Sequence, residues 1–446
     1  MSAKRAKAPA RAKRAKPKKR SRPLPPEYNI LLTATLCLLA FGAVMVFSAS
    51  STTRILQNGG LSDSAFYLKR TLLFGAVGLT IMYLASRNGL QVIRRLTPLL
   101  LAVSIFLLLA VLAVGTEVNG ATRWIGGGSL QIQPSELAKV ALILYGADLL
   151  AQKPKRVRSL DGMMPFLLVT GACCLLIMLQ PDMGTAMVIC FSVAATLIAA
   201  GARPADLGKI ALAIGGLALL MAVIEPYRMA RLTSFLHPTA DASGAGFQAA
   251  QAKIALGSGG IFGDGLGNGV QKAFYLPEAH TDMITAVIGE ELGMVGITAV
   301  VGLFAMFGYA GLKTAQKAKD AYGKILVAGL TSLVLVQATI NLFAVMGMAP
   351  LTGVPLPFVS YGNSSLMATL LAVGLILNVA RGGTAKAARA STPTRAGKLR
   401  AIDGGRSPAR ERSRSSGARK AKGGGGGGGN RGSRGARHGG RRRASG

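Results

Sequence analysis

The sequence predicts an all-α integral membrane protein of about ten transmembrane helices, with both termini cytoplasmic and one long external loop. Three observations carry this. Half of the 446 residues are apolar, 16% are charged and the mean hydropathy is +0.41, where a soluble chain carries about 25% charged residues. Ten apolar stretches approach the roughly 20 residues that a helix needs to cross the hydrocarbon. Lys and Arg alternate between the connecting loops.

The stretches are 30–48, 71–85, 98–114, 137–150, 165–179, 185–200, 210–224, 283–311, 325–346 and 366–379. The second and fourth are short and extend into flanking polar residues. Helices are the expected form because unpaired backbone groups are too costly in lipid. The first stretch follows a basic run and precedes Ser48-Ala49-Ser50, like a secretory signal. It is long for one, so it is taken as an uncleaved span. No internal repeat is visible.

One set of loops holds Arg87, Arg94 and Arg95; Lys153, Lys155, Arg156 and Arg158; Arg203 and Lys209; and Lys313, Lys317, Lys319 and Lys324. These loops fall on the same side as both tails, which is therefore the cytoplasm. The external loops are 49–70, 115–136, 180–184, 225–282 and 347–365. The longest, 225–282, contains seven glycines between Gly257 and Gly269. That density favours tight turns or close backbone approach. A phosphate cradle would need a terminal Lys-Ser/Thr, which is missing.

Most of the net charge of +34 lies in the tails. Residues 1–28 and the stretch from Arg381 onward hold 30 of the 52 Lys/Arg and 3 of the 18 acids. The domain plan is a basic disordered tail over 1–28, a polytopic membrane domain over 29–381 and a Gly/Arg-rich disordered tail over 382–446. Basic tails beside a membrane core fit anionic lipid on the cytoplasmic face better than nucleic acid, so no nucleic-acid partner is expected. Cys37, Cys173, Cys174 and Cys190 all lie within apolar stretches, without metal-ligand spacing. They are expected to be small buried residues.

Polar residues at span ends carry the chemistry, because they are costly unless paired or used. Four groups stand out. The first is Arg123-Trp124 with QPSELAK, where Glu136 and Lys139 are three apart and can meet on one helix face. The second is Gln180-Pro181-Asp182-Met183-Gly184-Thr185, in which Asp182 can cap the following helix. The third is Leu276-Pro277-Glu278-Ala279-His280-Thr281-Asp282, followed by Glu290 and Glu291 in the next span. Asp282 is either a helix cap, where the dipole favours a carboxylate, or a base raised by partial burial. The fourth is PLTGVPLPFVSYGNSSL, 350–366, whose prolines and glycines break the helix pattern at membrane depth. Such backbone must face protein or a wet cavity, which Ser360, Tyr361, Ser364 and Ser365 could line; a packing role alone is the alternative.

GATRWIGGGSLQIQPSELAK, QPDMGTA, KIALGSGGIFGDGLGNGVQKAFYLPEAHTDMITAVIGEELG and PLTGVPLPFVSYGNSSL together resemble the SEDS family of FtsW, RodA and SpoVE proteins. The resemblance runs in order from about Asn29 to Arg381. LPEAHTD, with Ala279 before the histidine, is closer to the FtsW pattern than to the RodA pattern. One departure is Asn363, where the family usually has a second glycine in SYGGSS; Asn tolerates a left-handed backbone.

The resemblance implies a peptidoglycan glycosyltransferase of the bacterial plasma membrane, sited at the division septum. It would polymerise lipid II outside the cell and release undecaprenyl pyrophosphate. The implied partners are a class B penicillin-binding protein and other division proteins. Asp282 falls on the family's essential HTD aspartate and would be the catalytic base. Arg123, Lys139, Gln180, Asp182, His280, Ser360, Tyr361 and Ser364 are the substrate-binding candidates. Glu136, Glu290 and Glu291 are metal-binding or structural acids. No cofactor is evident, and a divalent cation, Mg²⁺ or Mn²⁺, is an alternative to Arg123 and Lys139 for offsetting pyrophosphate charge. The rival functions are a lipid II flippase and a RodA-like elongation polymerase.

Overall fold

The computed structural model describes residues 24–57, 64–118, 121–127, 131–152, 154, 156–224, 235 and 245–384. Both expected tails and most of 225–244 lie outside the described residues. The helices are α1 (Pro26–Gln57), α2 (Phe66–Arg87), α3 (Leu90–Val114), α4 (Pro134–Gln152), α5 (Leu160–Leu179), α6 (Met183–Ala200), α7 (Pro204–Ile224), α8 (Ala245–Ser258), α9 (Gln271–Phe274), α10 (Ile284–Lys317), α11 (Ala321–Val345) and α12 (Asn363–Ala380). Among the described residues, eight of these are long and apolar enough to cross a membrane. The chain is a multi-pass membrane protein. Helices α4 and α7 stand where the fourth and seventh spans were expected, but are not among the eight. Helix α4 is set apart by its charges, Glu136, Lys139 and Asp148.

The sequence expectation of short second and fourth spans is resolved by their polar flanks. Helix α2 takes in Phe66–Arg70 and Ser86–Arg87, and α4 takes in Pro134–Glu136. The loop 115–136 is not wholly irregular. Strands β1 (Thr116–Val118) and β2 (Ala121–Trp124) pair antiparallel, with Glu117 opposite Thr122 and Val118 opposite Ala121. A further bridge joins Ile125 to Ile132.

Helices α11 and α12 are the most enclosed spans, while α2, α3 and α5 turn exposed faces outward. Leu72, Leu73, Leu99, Phe106, Leu168 and Leu175 stand on those faces, as expected where lipid is the solvent. Small residues let the inner backbones approach. A Cβ at Gly374 of α12 would lie 2.6 Å from the Met82 carbonyl oxygen of α2, the close packing that membrane helices use in place of a hydrophobic drive. Asn378 of α12 also donates to the Ala85 carbonyl at 2.7 Å and to that of Asn88.

Two ion pairs mark one end of the bundle. Lys317, closing α10, pairs with Glu27 at the start of α1. Arg94 of α3 pairs with Asp148 of α4, its guanidinium 5.2 Å from the Tyr322 ring centre. These groups belong to the loops and tail assigned to the cytoplasm by their basic residues.

Helix α10 breaks at Gly293 (φ 63°, ψ −157°). The glycine-rich run fills the break. The Asp264 and Gly265 amides donate to the Glu290 and Glu291 carbonyls at 2.9 and 3.0 Å, and the Met294 and Val295 amides donate to Gly260 and Ile261 at 3.0 and 3.1 Å. The Glu290 and Glu291 carbonyls and the Met294 and Val295 amides would otherwise be orphans of a broken helix. A Cβ at Gly259 or Gly263 would lie 2.0 or 2.2 Å from a carbonyl of α10, so the glycines serve close backbone approach.

Candidate active site

The site is assembled around the non-helical segment 350–362, which leaves α11 and returns to α12. The segment needs partners for backbone groups that no helix supplies. Two amides one turn apart on α11 provide them. Asn341 donates to the Val354 carbonyl at 2.8 Å and to the Asp282 carbonyl at 2.8 Å. Gln337 donates to the Pro355 carbonyl at 3.1 Å and to Ser365 Oγ at 3.3 Å. The segment also ties itself: the Leu356 amide donates to Ser360 Oγ at 2.7 Å, and the Ser360 amide to the Leu356 carbonyl at 3.0 Å. Glycines admit it between helices. A Cβ at Gly42 of α1 or Gly184 of α6 would lie 2.4 or 2.5 Å from the Phe358 or Thr352 carbonyl.

Asp282 stands beside this segment, half-buried, just before α10. Met283 occupies the cap position of α10 and makes no side-chain cap hydrogen bond. The cap position that the sequence offered to Asp282 is held by Met283. Thr281 Oγ1 donates to its Oδ1 at 3.2 Å, and a Cβ at Gly353 would lie 3.8 Å from its Oδ2. Thr285 Oγ1 donates to Asn341 Oδ1 at 2.7 Å, which leaves the Asn341 amide nitrogen aimed at the Asp282 and Val354 carbonyls. The aspartate is thus positioned through its own backbone.

His280 lies in an aromatic group. Its ring centre is 4.3 Å from that of Tyr67 and 5.6 Å from that of Tyr361, and Tyr67 meets Tyr361 edge to face at 4.9 Å. The Tyr361 amide donates to the His280 carbonyl at 2.9 Å. The HTD and SYGNSS segments, some 80 residues apart in the chain, are joined here. Asn363 opens α12 with no left-handed backbone. The expectation that Asn replaces a left-handed glycine is corrected: an ordinary helical position needs no such tolerance.

The other candidates form the supporting wall. Arg123 of β2 donates to the Gln180 carbonyl at 3.3 Å and to that of Pro181. Gln180 is buried and donates to the Leu108 carbonyl at 2.9 Å. Asp182 caps α6 by accepting from the Thr185 amide at 3.1 Å, and it accepts from Gln133 at 3.2 Å. Ser364 accepts from the Gln133 amide at 3.1 Å. Lys139 and Glu136 pair at 2.9 Å, both 3% exposed, and Lys139 also donates to Gln337 at 2.8 Å. A small cavity lies beside them, lined by Glu136, Lys139, Gln337 and Thr369. Buried at this depth, Lys139 steadies Gln337 and through it the 350–362 segment.

Glu290 and Glu291 are committed to the external segment. Glu290 accepts from the Val270 and Gln271 amides at 2.7 and 2.9 Å, at the start of α9. Glu291, fully buried, pairs with Lys272 and accepts from Ser48 of α1 at 2.6 Å. Glu136 is in its own pair, so the three acids do not converge. Among the described residues, no three His, Cys, Asp or Glu side chains group as a cation site.

Sequence reasoning did not single out Asn341, Gln337, Tyr67, Lys272 or Gln133. The signal for the first two was present: two amides four apart in an otherwise apolar span are costly unless they bond. Tyr67 and Lys272 carried none, because only the fold brings them to their partners.

The chain matches the family model described as a cell cycle protein, FtsW/RodA/SpoVE, over residues 29–384. It is 40% identical over 360 residues to the probable peptidoglycan glycosyltransferase FtsW of Trichlorobacter lovleyi, covering 80% of this chain and 94% of that protein. It is 41% identical over 358 residues to stage V sporulation protein E of Bacillus subtilis, covering 79% and 96%. Among solved structures, a chain from a peptidoglycan synthase complex that coordinates polymerization and crosslinking superposes with a TM-score of 0.64 at 28% identity, covering 79% and 97%. The rod shape determining protein RodA of Thermus thermophilus gives 0.58 at 29%, covering 79% and 96%.

Proposed function

The chain belongs to the FtsW/RodA/SpoVE family, and on that ground we propose that it is a peptidoglycan glycosyltransferase that polymerises lipid II into glycan strands. The observation that carries the chemistry is Asp282. Its backbone is held by Asn341, its carboxylate is half-buried, and the 350–362 segment lies alongside. In the reaction, a sugar hydroxyl of one lipid-linked disaccharide attacks the anomeric carbon of another. The anomeric carbon–pyrophosphate bond breaks, and undecaprenyl pyrophosphate leaves. Asp282 takes the hydroxyl proton, a transfer that contributes roughly 10²–10⁴-fold. Pyrophosphate is a good leaving group, so one base suffices.

Around that carboxylate, His280 and Tyr361 offer a polar and aromatic wall for sugar. Arg123, which donates to the Gln180 and Pro181 carbonyls, is the candidate cation for offsetting developing charge on the leaving group. A divalent cation from solution is the alternative carrier of that role, and loss of polymerisation on chelation would assign the role to it. Gln180, Asp182, Ser360, Ser364 and Lys139 hold the surrounding backbone and act on substrate through its shape.

The crosslinking named for the structural relative points to a transpeptidase partner of the class B penicillin-binding type. LPEAHTD and the FtsW relatives favour action at the division septum. Depletion is then expected to give filaments, and a lateral-wall location with rounding would favour elongation. The deciding assay is polymerisation of purified lipid II, with and without the transpeptidase, by wild type and Asp282→Asn. Glycan strands from the wild type alone support the proposal. Movement of lipid II across vesicles without polymer would move the assignment to a transporter.

A further inference from the structure

The run 257–269 belongs to the longest external loop, and its glycines fit the break of α10. Its large side chains point the other way. Ile261, Phe262 and Leu266 are 63%, 81% and 55% exposed, and Val270, just after the run, is 58% exposed. Ile261 adjoins Met294 and Val295 of α10, themselves 67% and 53% exposed, because the Gly260 and Ile261 carbonyls bond the amides of those two residues. A contiguous apolar surface of this kind is rare in water.

Position along α10 says what covers it. From Met294 to Lys317 the helix runs about 24 residues, roughly 36 Å at 1.5 Å per residue. That length alone crosses about 30 Å of hydrocarbon. Lys313 and Lys317 stand at its cytoplasmic end, so the break at Gly293 comes to the outer boundary of the bilayer. Val301 and Leu312, seven and eighteen residues after Met294, return to the same face at 100° per residue and are also exposed. The loop surface therefore continues a lipid-facing stripe. The turn before the break agrees, since Glu290 and Glu291 bond only protein groups of the external segment and α1.

We propose that 261–266 is a membrane anchor, with Ile261, Phe262 and Leu266 inserted between the headgroups and acyl chains of the outer leaflet. The break pairs the Ile261 carbonyl and the Asp264 and Gly265 amides, which lowers the cost of placing that backbone there. The anchor sets the height of the segment after it: Glu290 holds the start of α9, and α9 leads into LPEAHTD. The proposal needs only the membrane fold and is independent of the polymerase assignment.

The chain has a single tryptophan, Trp124. Phe262→Trp and, separately, Leu266→Trp are made in full-length protein carrying Trp124→Phe. Each is placed in nanodiscs of plain or acyl-brominated lipid and checked for a single monodisperse species. At an insertion depth of 5–10 Å, brominated lipid is expected to remove roughly half of the emission, with a blue shift and little quenching by acrylamide. Quenching by acrylamide and not by brominated lipid would overturn the anchor in favour of a water-facing loop. Quenching by neither, in both variants, would overturn it in favour of a face covered by protein, such as a second copy of the chain.

Discussion

Asp182 and Asp282 look alike as letters: each is an acid at the entry to a span. They differ once folded. Asp182 accepts from the Thr185 amide and is a helix cap, so Asp182→Ala is expected to lower stability by about 1 kcal/mol, read as a lower melting temperature. Asp282 stands one residue before the cap position of α10, which Met283 occupies. Asp282→Asn should therefore melt with the wild type yet lose polymerisation by roughly 10²–10⁴-fold. A variant that polymerises near the wild-type rate would sink the role of base. Asn341 joins two carbonyls, those of Asp282 and Val354. Asn341→Ala leaves both without that donor and is expected to cost about 1–3 kcal/mol, with a fall in polymerisation beyond what the lost folded fraction explains. An unchanged melting temperature would show that Asn341 does not hold the site.

At the scale of elements, α10 is two helices joined by a glycine and sealed by a loop. Gly293→Ala would place a Cβ 2.5 Å from the Gly263 amide nitrogen at a positive φ. The strained backbone is expected to cost about 1–3 kcal/mol, and hydrogen exchange should rise first at the Met294 and Val295 amides. The same segment is pinned by Lys272, Glu291 and Ser48. Lys272→Met strands a fully buried carboxylate, which costs about 3–5 kcal/mol. Lys272→Met with Glu291→Leu removes both charges and should recover most of that loss. If the double variant melts no higher than the single one, the ion pair itself was the source of stability.

The whole molecule is a bundle whose two ends differ in charge and in chemistry. Glu27–Lys317 and Arg94–Asp148 lie at the end assigned to the cytoplasm, and the HTD and SYGNSS segments meet at the other. Labelling from outside whole cells should modify Gly127→Cys, where an added Cβ meets open space, and should miss the exposed Ser159→Cys. The opposite pattern would reverse the orientation.

Composition and periodicity sufficed for the membrane class, because a run of apolar residues satisfies the solvent it meets without reference to the rest of the chain. The orientation expected from the alternation of Lys and Arg rests on the same local logic, each loop being sorted by its own charge. The Glu136–Lys139 pair was legible too, since three residues of helix bring the two groups together. The hairpin 116–124, the sealed break at Gly293 and the triangle of Tyr67, His280 and Tyr361 were not legible. Each depends on groups brought together by packing. An acid before a span reads as a cap from its neighbours alone, and only the fold decides whether the helix turns its amides toward it. Asp282 was a candidate base in the sequence, but its placement was not legible there: Asn341, 59 residues away in the chain, holds its backbone, and its carboxylate lies beside the 350–362 segment.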